Sequence, residues 1–74
     1  MLLKNTNSDI VINLYTDGSY RNRQGSFAVD GYIDDKLVYS AICDCKTTSS
    51  NETELVAVLH ALFFAHTHNL HPVV

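Results

Sequence analysis

An apolar run, Ile10, Val11, Ile12, Leu14 and Tyr15, leads straight into Thr16-Asp17-Gly18-Ser19. β-Branched and aromatic side chains pack well on a pleated surface, so the run reads as a strand. Only Asn13 breaks it, and a near-continuous run rather than an alternation predicts a central strand covered on both faces, with two neighbouring strands. Strand propensity then stops: Gly18 tolerates positive φ and Ser19 can hydrogen-bond locally, which predicts a turn holding the Asp17 carboxylate at the strand's end.

A polar connector, Tyr20 to Gln24, separates this strand from a second one over Phe27 to Ile33, where Phe27, Val29 and Ile33 fall at alternating positions. Asp34-Asp35 predicts a tight turn into a third strand, Lys36 to Lys46, antiparallel to the second. Period-two spacing puts Leu37, Tyr39, Ala41, Cys43 and Cys45 on one face of it, and its mixed outer face suits an edge strand. Cys43 and Cys45 lie two apart on that strand, where a disulfide would be badly strained, so both are expected as reduced, half-buried thiols.

Thr47-Thr48-Ser49-Ser50 ends the strand pattern and supplies hydroxyl caps for a helix. Ser49 with Glu52 has capping-box spacing and so does Asn51 with Glu54, leaving two registers open. Leu55, Val58, Leu59 and Leu62 recur at helical spacing, widened by Val56 and Phe63, and predict the face laid on the sheet. The helix is expected to run to about His68; Asn69 suits the left-handed residue that ends helices, and Pro72 blocks resumption. Leu70 to Val74 then reads as the approach to a fourth strand, which right-handed crossover places beside the first.

Seventy-four residues bound the chain to one small domain. A core of that size yields roughly 3 to 5 kcal/mol of net stability. Residues 1–9 are polar, without apolar period, and are expected to be a flexible N-terminal extension, with the folded unit over residues 10–74. No apolar stretch approaches the roughly 20 residues of a membrane span and Met1-Leu2-Leu3-Lys4 is not a signal peptide, so a soluble cytoplasmic protein is expected, with no membrane partner. A formal net charge of −3 argues against gripping nucleic acid by unaided electrostatics. Arg21 and Arg23 read as solvated, and His60, His66, His68 and His71 as helix-end polar groups rather than a metal site.

Two acids in a defined order carry the functional signal: Asp17 after the first strand, and Glu54 early in the helix that follows a three-strand meander. With that order, residues 10–74 resemble the N-terminal half of the ribonuclease H family. The resemblance implies an α/β fold, here a three-stranded antiparallel sheet with one helix and the start of a fourth strand. It also implies metal-dependent hydrolysis of the RNA strand of an RNA–DNA hybrid. Asp17 matches the family's first-strand Asp and Glu54 its helix Glu, so both are expected as catalytic ligands of Mg²⁺ or Mn²⁺, with Ser19, Ser50 and Asn51 as substrate-contacting polar groups. The hard, oxygen-seeking character of those cations is why carboxylates are needed.

Departures from the family pattern shape the expectation further. The family's fourth-strand Asp and a later helical acid fall beyond Val74, the loop after Asp-Gly-Ser is reduced to Tyr20 to Gly25, and no basic helix is encoded. Two readings therefore stand side by side: a nuclease fragment incomplete by itself, and a non-catalytic self-associating module. In the second, the open edge of the first strand or the Pro72 to Val74 stub recruits another copy, or a partner chain supplies the missing half.

Overall fold

The computed structural model describes residues 10–74, and the extension expected over residues 1–9 lies outside the described residues. Four strands and one helix follow in the order β1 (Val11–Arg21), β2 (Gln24–Ile33), β3 (Lys36–Cys45), α1 (Ser50–Thr67) and β4 (His71–Val73). The sheet order is β3-β2-β1-β4, with β1–β2 and β2–β3 antiparallel and β4 parallel to β1. The α/β class, the meander, the single helix and the short fourth strand beside β1 are as the sequence predicts. A least dimension of 14 Å leaves room for two layers only, one sheet and one helix.

Both hairpins close through two residues with positive φ: Asn22 and Arg23 at 53° and 63°, Asp34 and Asp35 at 51° and 65°. Such turns match the twist of the flanking strands. The Asp34-Asp35 turn was legible. The first is tighter than expected, because β1 continues to Arg21 and β2 begins at Gln24, leaving a two-residue turn where the sequence predicts a longer polar connector.

Three further expectations are corrected. β1 is not covered on both faces: Ile12 and Leu14 are buried, while Val11, Asn13 and Tyr15 on the other side are exposed. Leu37 does not share a face with Tyr39, because the register shifts at Gly31/Tyr32. Gly31 lies opposite Tyr39 and Tyr32 opposite Leu37, so Val38 is the extra residue of a bulge, and one extra residue moves a strand's side chains to the other face.

The third correction concerns α1. Its buried residues are Thr53, Ala57, Ala61 and Ala65, an unbroken i, i+4 row of small side chains, whereas Leu55, Leu59, Leu62 and Phe63 are exposed and Val58 is half-buried. Small residues let the helix backbone settle close to the sheet, over Ile12, Leu14, Phe27 and Val29, which form the core with the three alanines. Half-buried Tyr39, Cys43, Cys45, Val56, Phe64 and Leu70 pack around it.

The caps of α1 choose one of the two registers left open. Ser49 is the N-cap, its hydroxyl accepting from the Glu52 amide at 3.1 Å. Glu52 bends back to accept from the Thr48 amide at 2.6 Å and the Thr48 hydroxyl at 3.1 Å. At the other end Asn69, with φ of 59°, donates to the His66 carbonyl while Leu70 donates to that of Ala65, the paired bonds of a Schellman ending. The chain is thereby aimed back at β1, where the His71 amide meets the Ile10 carbonyl at 2.8 Å.

Candidate functional site

Asp17 lies within β1, not at its end, and pairs with Ala28. Gly18 and Ser19 continue the strand opposite Phe27 and Ser26, so the turn expected at Thr16 to Ser19 is absent. No described glycine has positive φ; what Gly18 supplies is proximity. A Cβ at that position would lie 3.1 Å from the Glu54 amide nitrogen, 3.2 Å from its Cα and 3.2 Å from the Thr53 carbonyl carbon. Hydrogen in place of a side chain lets the first turns of α1 rest against β1 at this point.

That contact brings together the backbone segments that carry the two acids. Thr16, Asp17, Gly18, Glu54 and Val58 line an open recess of about 210 Å³. The parallel partner β4 covers only Val11 to Asn13 of this edge, so the recess opens where β1 has no strand neighbour on that side among the described residues. Strand alternation turns Asp17 toward the uncovered face of the sheet, while Glu54 approaches from the helix layer, with Gly18 between them. Both carboxylates are exposed. Glu52, by contrast, is occupied with the Thr48 cap.

Neither a family model, nor a curated protein, nor a solved structure matches this chain.

The remaining candidates are dispersed around this recess. Ser19 shares the Asp17 face of β1 and lines a second shallow recess of about 180 Å³ with Asp17, Ser26, Ala28 and Ile42. Ser50 and Asn51 occupy the exposed first turn of α1, where amides without helical partners favour anions. Among the described residues no three or more His, Cys, Asp or Glu side chains are gathered to hold a metal ion. His60 is instead paired with the Tyr39 hydroxyl at 2.7 Å, and the His68 ring reaches the Phe64 carbonyl at 3.0 Å. Cys43 and Cys45 are unbridged and half-buried. No helix among the described residues is long and apolar enough to cross a membrane.

One supporting feature escaped the sequence reading. The buried Thr53 hydroxyl donates to the Ser49 carbonyl at 2.9 Å and lies 2.6 Å from that of Thr47, which is also buried. Thr53 has one proton to give, so Thr47 is the donor between them. The pair ties the β3–α1 connection to the helix turn that carries Glu54. Gly25, opposite Cys45, leaves the space it fills, since a Cβ there would collide with both threonine hydroxyls. A threonine heading a row of alanines at four-residue steps was the available signal.

Proposed function

We propose that this chain carries the strand-and-helix portion of a ribonuclease H-like, metal-dependent nuclease centre, with Asp17 and Glu54 as ligands of Mg²⁺ or Mn²⁺. The observation that supports the reading is the shared recess, in which Gly18 lets the Glu54 turn close on the Asp17 strand. Its donor chemistry fits a hard divalent cation: Asp17 and Glu54 are both among its lining residues and both exposed, with no thiol or imidazole in the lining. Magnesium is commonly held by one or two carboxylates, with waters and substrate phosphate oxygens completing its shell.

A cation held there supplies the Lewis acidity that phosphodiester hydrolysis needs. The protein's own residues position the substrate. Amides of the first turn of α1, beside Ser50 and Asn51, offer donors to a backbone phosphate, and the Ser50 and Asn51 side chains are polar probes for the 2′-hydroxyls of an RNA–DNA hybrid. Ser19, on the same strand face as Asp17, adds a hydroxyl to that surface. Two carboxylates suffice for weak binding of one cation; a two-ion arrangement requires further acids, from additional residues or a partner chain. The described residues alone therefore bind cation and hydrolyse hybrid slowly or not at all.

Amide line broadening by Mn²⁺ tests the reading independently of activity. The expected result is selective broadening at Thr16 to Ser19 and Thr53 to Leu55, lost in Asp17→Asn and in Glu54→Gln. Broadening centred elsewhere, or unchanged in both variants, refutes the assignment. A hybrid-cleavage assay on the same samples separates cation binding from catalysis. The alternative, a non-catalytic self-associating module, is favoured by a different observation, the apolar outer face of α1.

A further inference from the structure

From Leu55 to Thr67, α1 contains no Asp, Glu, Lys or Arg. Its sheet contact is the Thr53, Ala57, Ala61, Ala65 row, which leaves Leu55, Leu59, Leu62 and Phe63 pointing outward at 56, 55, 37 and 69% exposure. A helix that is apolar on both sides is one suited to being covered on both. The outer residues Leu55, Leu59, Leu62 and His66 are separated by steps of four, three and four. This is the spacing by which one helix takes the side chains of another between its own at a shallow crossing angle.

We propose that the outer face of α1 is the homodimer interface, packed antiparallel against α1 of a second copy about a two-fold axis. A four-three-four spacing reads the same in both directions. The antiparallel copy thus sets Leu59 against the partner's Leu62, and Leu55 against the partner's His66, and every seam residue meets another. The carboxylates select the same orientation: Glu52 and Glu54 stand at the start of α1, so a parallel copy stacks four acids together, while an antiparallel copy sets them beside the polar His66 and His68 end. The positions flanking the seam carry no charge that would exclude self-pairing.

At β4 the sheet edge competes poorly. The His71 amide points toward β1, so alternation turns the Pro72 nitrogen to the outer edge of β4, where it has no proton to donate to an added strand. The four outward side chains contribute on the order of 300 to 400 Å² of apolar surface per copy. A standard stable interface takes about 800 Å² per partner, so the dimer is reversible and concentration-dependent rather than obligate. The seam itself uses only outward residues of α1 outside the recess lining, so this inference is tested separately from cation binding there.

Sedimentation equilibrium of the full chain, from micromolar to several hundred micromolar, reads the proposal directly. A monomer–dimer equilibrium is expected, weakened roughly a hundredfold by Leu59→Glu, which places two charges at the centre of the interface. Leu59 is already exposed, so far-UV circular dichroism of that variant should match the parent. Orientation follows from cysteine pairing in a Cys43→Ser, Cys45→Ser background: Leu59→Cys mixed with Leu62→Cys should form a mixed disulfide faster than either forms its own. A monomer throughout the range overturns the proposal. So does association that survives Leu59→Glu, or faster self-crosslinking of Leu59→Cys.

Discussion

Replacing Gly18 by Ala tests whether close backbone approach joins the two acids. Gly18 has ordinary strand φ, so the added methyl meets no conformational penalty; its cost is steric. All three nearest atoms are helix or peptide backbone at 3.1 to 3.2 Å, and no side chain can rotate away to make room. α1 must retreat by a few tenths of an ångström, dragging the alanine row off Ile12 and Leu14. Overpacking of this kind costs about 1 to 3 kcal/mol, offset by about 0.4 to 1 kcal/mol from the stiffer unfolded chain. A net loss of about 1 to 2 kcal/mol remains, which in a domain this small lowers Tm by roughly 5 to 15 °C. Paired thermal melts and Mn²⁺ broadening should show both a lower Tm and weaker cation binding, since Glu54 moves with the helix. A variant as stable as the parent with unchanged broadening would refute the contact as the element that forms the site.

Other perturbations probe the supports. Thr53→Val strands the Thr47 hydroxyl in a buried position and should cost about 1 to 3 kcal/mol; adding Thr47→Val should recover part of that loss in a double-mutant cycle followed by urea unfolding. Ser49→Ala removes the acceptor for the Glu52 amide and should cost about 1 kcal/mol in the same assay. Arg23→Gly relieves a left-handed residue at φ of 63° and should raise stability by about 0.5 to 1 kcal/mol, read as an increase in Tm.

The strands and the second hairpin turn were legible because their signals are local. Asp34-Asp35 announced its hairpin, Asn69 the end of α1 and Ser49 one of two possible N-caps, and right-handed crossover placed the Leu70 to Val74 approach beside β1. The face of α1 was not, for a physical reason. Hydrophobic periodicity ranks Leu above Ala, yet the sheet-facing side is fixed by how close the helix can come, which favours the smallest side chains; with apolar residues all around, no single stripe is marked. Asp17 was misplaced: it lies within β1 rather than in a turn at the strand's end. The Thr-Asp-Gly-Ser composition that suggests a turn is accommodated in a strand because Gly18 is needed for contact rather than for curvature. The Val38 bulge carries no composition signal, so the side taken by Leu37 could not be read in advance.

The two hairpins divide the molecule by sequence separation. β1, β2 and β3 are joined by two-residue turns, so their pairing demands little loop closure and hairpins of this kind form within microseconds. β1 reaches α1 and β4 only across the whole meander, and β4 pairs through three residues. Sequence separation favours an order in which the meander assembles first and α1 with β4 dock afterwards. The same asymmetry sets the native fluctuations: α1 and β4 can lift away together while the hairpins hold. Hydrogen exchange should then show amides of β4 and the end of α1 exchanging ahead of those between β1 and β2. The recess belongs to both units, so each such opening also takes Glu54 away from Asp17.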